Sequence, residues 1–435
     1  MITESRNRRV VRGLFVALCL APTAACLAWS WSVGGDADRA AWERSLSSVL
    51  GVRAQIEALR RPRPGVVLFE RFRCYDPETD ALIVDARAIE IELEAESRHV
   101  RASQPEVFVD RAAGLFAALE RRLRREFPDV DVTDVFEADA LTWHVPGESQ
   151  TLVDVRAEIG PVESAQQLLG KFSLPEAKDR RAAALRIRRS TATTPPETLV
   201  EFDTGDVPLP CSAVAPLHAS ALDFGVRAAF GGKLQLRRRV DGWRGTVVGE
   251  FIDVDLDALV SRRFPHTLSG NARLVLHRAE WSAGRLEHCD ATLRAKSGQI
   301  GRSLVASAAY HLGLGDPRQI VDPRPVLPFD GLELDLTLDE SGVKLSSRSP
   351  DARHPILWFG QTVYWQQPGE ALQPTANLLC ALVPERELMV PAARHVAGLM
   401  EFMPLPNRTE VRQPEFGPRP IDVKLQVRNP ATTQR

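Results

Sequence analysis

The sequence lacks the usual signatures of catalysis. It holds no Gly-x-Ser-x-Gly elbow, no His-Glu-x-x-His, no phosphate-binding P-loop and no Gly-x-Gly-x-x-Gly; its nearest fragments, "SGQIGRS" and "LGLGD", fit none of these. It lacks a charge excess, since 55 basic residues face 57 acidic ones for a net charge of −2, which leaves no field to attract nucleic acid. It also lacks a cysteine framework. Cys19 and Cys26 lie in an apolar N-terminal segment, and Cys74, Cys211, Cys289 and Cys380 are far apart with no Cys-x-x-Cys, a spacing that suits buried small hydrophobes and reveals no disulfide pairing. Nine histidines stand singly. The nearest thing to a cluster is His277 with His288 and Cys289, which adjacent strands could assemble as zinc ligands but which serve equally well as strand-surface residues, with no fourth ligand nearby. No catalytic residue, metal or cofactor is expected. A hydrolase assembled from isolated Ser, His and Asp residues stays open as an alternative, and Ser303, His288 and Glu90, the most reactive-looking side chains, are expected to be structural.

What is present is apolar content and alternation. Hydrophobic residues make up 44% of the chain, too many for general disorder, and the 31 prolines crowd near positions 195, 325 and 404, marking breaks. At the N-terminus Arg6, Arg8, Arg9 and Arg12 precede an apolar run from Gly13 to Trp31 that ends in the pair Trp29 and Trp31. This pattern predicts a basic cytoplasmic tail over 1–9 and a single transmembrane anchor over 10–33, with the body outside the cytoplasm. A signal peptide cut after Thr23 and Ala25, or a lipid on Cys26, would export the body equally.

The body reads as strands with a few helices. A helix through Ala41, Leu46, Val49 and Leu50 leads into a strand at 52–59, then a strand at 66–75, a turn at 76–79 and a return strand at 82–95. In that return strand Ile89, Ile91 and Leu93 share one face, and Glu90, Glu92 and Glu94 the other; the glutamates fit a solvated face better than a cation ladder, having no His or Asp to complete a ligand set. The segment 107–127 predicts an amphipathic helix through Ala112, Leu115, Phe116, Leu119 and Leu123, with Arg121, Arg122, Arg124 and Arg125 as a solvated C-terminal end. Further strands follow at 134–145, 149–160 and 181–190. After the break "TATTPPET" a second block starts, with turns expected at Asp241-Gly242, Ser282-Ala283-Gly284 and Ser297-Gly298. That spacing predicts an antiparallel meander. A helix over 300–314 through Leu304, Val305, Ala308 and Leu312 comes next, then a hairpin over 329–348 with Leu332, Leu334, Leu336 and Leu338 on one face, and a late helix from Pro391. The expected division is a β-rich part with an amphipathic helix over 34–190, a second β-rich part with short helices over 197–403, and a disordered Pro-rich tail over 404–435.

Three stretches carry a resemblance. The anchor followed by "LSSVLGVRAQIEAL" and "PRPGVVLFERFRCYDPETDALIVDARAIEIEL", the long segment from "LPCSAVAPLHAS" through "DVDLDALV" to "LSGNARLVL", and "FDGLELDLTLDESGVKLSS" together resemble the AsmA-like family of Gram-negative envelope proteins, relatives of the bridge-like lipid-transport proteins. The resemblance implies a protein tethered to the inner membrane with its body in the periplasm. It also implies a long twisted antiparallel sheet, open as an apolar groove, that serves envelope biogenesis or lipid homeostasis without catalysis. The implied partners are a phospholipid or other acyl-chain lipid, the inner membrane and other envelope proteins. Ile89, Ile91, Leu93, Leu274, Leu276, Leu332, Leu334, Leu336 and Leu338 are the candidate groove residues. The competing class is an exported β-sandwich that binds or scaffolds, which would use the same alternation to fill a closed core.

Overall fold

The structure is a computed structural model. It describes residues 35–124, 131–145, 148–163, 165–177, 179–190, 194–213, 223–240, 242–316, 322–347, 355–368 and 372–383, together with 13, 15–20, 23, 192 and 403–404. Most of the expected anchor, the late helix from Pro391 and the expected tail lie outside these residues. Among the described residues no helix is long and apolar enough to cross a membrane.

The expectation of a mainly β chain holds: twenty strands form one sheet. The N-terminal part holds β1 (Arg53–Arg63), β2 (Val66–Tyr75), β3 (Leu82–Leu93), β4 (Ser97–Ser103), β5 (Glu106–Phe108), β6 (Thr133–Val145), β7 (Glu148–Val162), β8 (Ala165–Ser173) and β9 (Ala183–Ser190). It continues through β10 (Glu197–Asp203), β11 (Leu209–Pro210), β12 (Ala229–Arg239), β13 (Gly242–Asp255), β14 (Leu268–Ser282) and β15 (Arg285–Gly301). The last strands are β16 (Val326–Phe329), β17 (Gly331–Asp339), β18 (Gly342–Ser346), β19 (Pro355–Phe359) and β20 (Thr362–Gln366). Four α-helices accompany them: α1 (Asp36–Leu50), α2 (Ala113–Leu123), α3 (Arg302–Leu312) and α4 (Thr375–Leu382). At about 4.8 Å per strand the sheet runs roughly 70 Å along its curved surface.

The antiparallel meander expected for the second block holds through β12, β13, β14 and β15, and the sheet's parallel pairing lies in the first part. β6 pairs in parallel with β4 and β5, because α2 carries the chain back across the sheet between them. The break at 191–196, expected to separate two parts, is bridged by antiparallel pairing of β9 with β10. Ser297-Gly298, expected as a turn, lies inside β15, where Gly298 faces Gly270 and the neighbouring Gln299 faces Ser269. A glycine is needed there for close packing, since a Cβ on Gly298 would come 2.0 Å from the Ser269 carbonyl oxygen and 2.6 Å from the Phe329 ring. The turn expected at Ser282-Ala283-Gly284 is present. Ala283 and Gly284 both have positive φ, +50° and +83°, the two-residue hairpin geometry that matches the right-handed twist of strands.

Following the register across the sheet exposes its organising pattern. Val67, Ile91, Val100, Phe136, Ala157, Gly170 and Leu185 are successive cross-strand partners from β2 to β9. The same line continues through Phe202, Leu234, Val247, Ala279, Cys289, Leu338 and Val343 to β18. No member is polar. The opposite face is a lattice of charges, with Arg101 3.6 Å from Glu90 and 3.5 Å from Glu137, and Arg156 3.1 Å from Glu137 and 2.8 Å from Glu158. Such exposed pairs add little stability each, about 0–1 kcal/mol. Their positions across neighbouring strands nonetheless favour this register over a slip that would exchange the faces.

Helices cover the apolar face at its two ends. Trp42 of α1 meets Phe69 edge-on at 5.5 Å, and α2 crosses the face as far as β8. Leu304, Val305, Ala308 and Leu312 of α3 pack as expected from the sequence, joined by Ala381 of α4, on Leu332, Leu338 and Val343. Between these covers the sheet bends, with register shifts gathered in β13 to β15. Two glycines should separate local causes of stability here. Gly298→Ala should lower the unfolding free energy measured by urea titration by several kcal/mol through its backbone clash, whereas Gly284→Ala, with nothing within 4 Å, should cost about 1 kcal/mol for the positive φ alone.

Candidate functional site

The part of the apolar face that no described helix covers lies over β9, β10, β12 and β13. There Leu185, Ile187, Val200, Phe202, Leu234, Leu236 and Val247 all point the same way by strand alternation and register, and all are half-buried rather than buried. Their neighbours on the other face of β12, Lys233, Gln235 and Arg237, are exposed. One side of this window is bounded by β8, where Leu168 is buried below α2. The other is bounded by Trp281, whose ring lies on Gly245; a Cβ on Gly245 would come 2.1 Å from that ring.

The window has two unlike ends. At one, Thr204 is buried and laced to β12, its N–H donating to the Gly232 carbonyl at 3.0 Å and its Oγ1 accepting from the Gly232 N–H at 2.8 Å. Beyond β11 the short turn Cys211–Ala213 reaches back over the sheet, and the Ser212 hydroxyl donates to the Glu148 carboxylate at 2.7 Å. Glu148 begins β7, so this bond spans β8, β9 and β10 and holds the sheet in a curl. At the other end the row Gln166, Arg189, Thr198, Arg238 and Trp243 replaces apolar side chains with polar and cationic ones.

The candidate groove residues fall elsewhere on the same sheet. Ile91 is buried, with Ile89 packed against the same core beneath the first two helices, and Leu93 is exposed at the end of β3. Leu332 and Leu338 are 1% and 3% exposed within the core formed with α3 and α4, with Leu274, Leu334 and Leu336 packed against it. Leu276 is half-buried opposite Gly249 and Ala291. The leucines of 332–338 therefore meet helices, neither a partner sheet nor an open trough. The residues of the window escaped the sequence reading because β10 and β12 carry the same alternation as every other strand. Which stretch stays uncovered depends on where α2 and α3 land.

The polar candidates resolve individually. Glu90 pairs with Arg101, Glu92 with Arg63 at 2.8 Å, and Glu94 accepts from Ser97 at 2.8 Å, as a solvated face would. Arg122, expected in a solvated helix end, is instead 6% exposed; its Nε lies 3.2 Å from Asp134, which also pairs with Arg98 at 2.7 Å, and its Nη2 donates to the Val132 carbonyl. His277 shares a hydrogen bond with Thr292 at 2.9 Å, and Thr292 donates to Asp335 at 2.6 Å. His288 and Cys289 are consecutive in β15 and face opposite sides. Among the described residues no group of three or more His, Cys, Asp or Glu could hold a metal ion. Ser303 has a neighbour that sequence separation concealed: its Oγ lies 3.1 Å from His266 Nδ1. Burial lowers the His266 pKa, partly offset by a hydrogen bond to the Ala381 backbone. Among the described residues no carboxylate meets His266, so the pair lacks there the third member that orients a catalytic imidazole.

A concavity of about 1370 Å³ lies among Arg227, Asp253, Arg273, Arg294, Glu333 and Trp358. Charged side chains of both signs stand among its lining residues.

The three cysteines with shifted thiols are buffered by burial, which pushes Cys74 up to about 12 and Cys211 and Cys289 up to about 11, with Asp290 adding to the effect at Cys289. Iodoacetamide at pH 8 should modify these three slowly in the folded chain and rapidly in urea, as followed by peptide mass spectrometry. Ser303→Ala should leave the folded protein and its thermal melt unchanged. Fluorophosphonate labelling of Ser303 in the native chain would show an activated nucleophile and establish the hydrolase alternative.

Set against known proteins, the chain matches no protein-family model, no curated protein and no solved structure.

Proposed function

We propose that this chain is a membrane-anchored, non-catalytic carrier of acyl-chain lipid that works in the cell envelope. Its AsmA-like body is placed in the periplasm and its segment 10–33 is held in the inner membrane. The observation that carries this reading is the window of half-buried apolar side chains over β9 to β13, set in an apolar line that spans the sheet and backed by a charged face. An alternating strand must hide its apolar side from water. Here α1 and α2 do so at one end of the sheet and α3 and α4 at the other, and a lipid chain would do so between them. Covering a half-exposed leucine or phenylalanine recovers roughly 1 kcal/mol, so a chain lying on several of them is held without a single polar contact. All described strands belong to one sheet, which favours this arrangement over a sandwich of two. Its cargo class is a phospholipid or another acyl lipid, handed between the inner membrane and other envelope components.

The test compares two aspartate substitutions in the full chain, by thermal melting and by mass spectrometry of co-purified lipid. Phe202→Asp, at the half-buried window, should leave the melt within a few degrees of wild type and strip the lipid. Leu338→Asp, in the closed core, should destabilise the fold by several kcal/mol. A folded Phe202→Asp protein carrying as much lipid as wild type would sink the reading.

A further inference from the structure

We propose that the charged face of the sheet carries a second binding site, a concavity over β13 to β19 that takes a zwitterion joining a phosphate to an ammonium group through a short arm. It is independent of the acyl-chain window, which belongs to the other face. Arg273, Arg294 and Glu333 are successive partners on β14, β15 and β17, beside the row Leu274, Leu293 and Leu334 that faces the opposite way and packs on the core. Two β-bulges shape the hollow: Ile252 and Asp253 of β13 stand against Arg273 of β14, and Lys296 and Ser297 of β15 against Asn271. The backbone takes positive φ beside them, +53° at Asp253 and +131° at Gly270. Bulges bend a strand and re-aim its side chains, and these two, on either side of β14, leave a concavity of about 1370 Å³.

Four cations and four carboxylates line this concavity, so it favours neither a polyanion nor a polycation. Half of these charges are met within the protein. Arg273 pairs with Glu250, Arg227 donates to the Asn271 side chain at 3.5 Å, Asp255 lies 3.8 Å from Arg262, and Asp330 accepts from the Gly360 N–H at 2.7 Å. The other half, Arg294, Lys296, Asp253 and Glu333, make no ion pair or side-chain hydrogen bond among the described residues. Arg294 and Glu333 are direct cross-strand neighbours, and elsewhere on this face such neighbours pair, as Arg101 does with Glu90 and Arg156 with Glu137. Here they do not. Arg294 Nε is instead buried and meets no acceptor, and a buried donor left over in this way is accounted for by a group from outside the chain.

The placement of these groups sets the ligand. Lys296 follows Arg294 at the next same-face position of β15, about 7 Å along the strand, so two cations serve one oxyanion. The guanidinium presents a planar fork to the paired oxygens of a phosphate, and the lysine adds a second charge. Glu333, about 5 Å from Arg294 on the next strand, is the acceptor for an ammonium group. Beside it the half-buried Trp358 lies over Gly331, where a Cβ would come 2.1 Å from the indole. An ammonium held between that carboxylate and the indole gains from both. Phosphate and ammonium two carbons apart fit the step from Arg294 to Glu333, a chemistry shared by the head of a phospholipid and by its free glycerophosphodiester.

Calorimetric titration of the full chain with glycerophosphoethanolamine, which has no acyl chain to occupy the window, tests this directly, with glycerophosphoglycerol and ethanolamine as probes of one charge each. Wild type should bind the zwitterion about tenfold more tightly than either, as one further charge-assisted contact predicts. Arg294→Gln should weaken glycerophosphoethanolamine and glycerophosphoglycerol alike by about tenfold, and Glu333→Gln should bring the first down to the level of the second, both with an unchanged melt. No binding of the zwitterion to wild type, equal affinities for the three probes, or wild-type affinity in either folded variant would overturn the site; if Arg294→Gln does not fold, Glu333→Gln decides alone. Dihexanoylphosphatidylethanolamine below its micelle concentration, titrated into Phe202→Asp, separates the two sources. Tighter binding than glycerophosphoethanolamine assigns the site to a lipid head and equal or weaker binding to the free diester, and in both cases the added change Arg294→Gln must remove it. Failure of this site leaves the acyl-chain reading standing, since that reading is tested by co-purified lipid in Phe202→Asp.

Discussion

One constraint governs this structure: among the described residues twenty alternating strands form one sheet, which has to keep a whole face from water with no second sheet laid on it there. Every other feature follows from how that face is divided. Where α1 and α2 lie, the strands make an ordinary core around Ile56, Phe69 and Ile83. Where α3 and α4 lie, a second core forms around Ile300, Leu327 and Ile356. These two cores supply rigidity, and the strands between them need no covering helix to stay in place, because each is paired on both sides. Stability and an apolar stretch that no helix among the described residues covers thus coexist in one sheet.

Arg122 shows how the first cover is fixed. A guanidinium at 6% exposure is costly unless its charge is met, and Asp134, on the strand that α2 leads into, meets it. The helix is therefore tied to the start of β6 by a charge that has no good alternative partner, in addition to its apolar stripe. The parallel crossover is a consequence, since a helix held across the sheet must deliver the chain to the far end of the next strand.

Much of this was legible in the sequence. The hairpin β2–β3, the helix α3 with its four buried positions and the hairpin β17–β18 all follow from period and turn residues, because in each the local pattern and the tertiary environment agree. β8 was not legible: Ala165 and the adjacent Gln166 are both buried, so its first residues do not alternate. Gly298 misled because a glycine that serves close strand packing looks the same as one that serves a turn. The window itself was hidden for a deeper reason. Alternation says which face of a strand is apolar, and only the placement of helices distant in sequence says whether that face is roofed. Leu332 and Leu338 have the stronger pattern, and for that reason they have the helices.

β1 has a strand neighbour on one side only among the described residues, and on its other side α1 meets the backbone: the Ala54 N–H donates to Ser47 Oγ at 2.9 Å, the Ile56 N–H to Glu43 Oε1 at 2.8 Å, and Arg39 donates to the Glu57 carbonyl at 3.1 Å. Its last residues, Arg60, Arg61, Pro62 and Arg63, pair on the covered side with Glu70, Asp38 and Glu92 through their arginines. A proline contributes no donor, and a row of long cationic side chains repels a second copy of itself. A sheet this long, made of strands this regular, is the geometry from which fibrils grow by adding strands at a margin. The α1 side chains on the β1 backbone and the Arg-Pro ending of β1 make that margin a poor template, so the same regularity that builds the sheet does not propagate from one molecule to the next at this end.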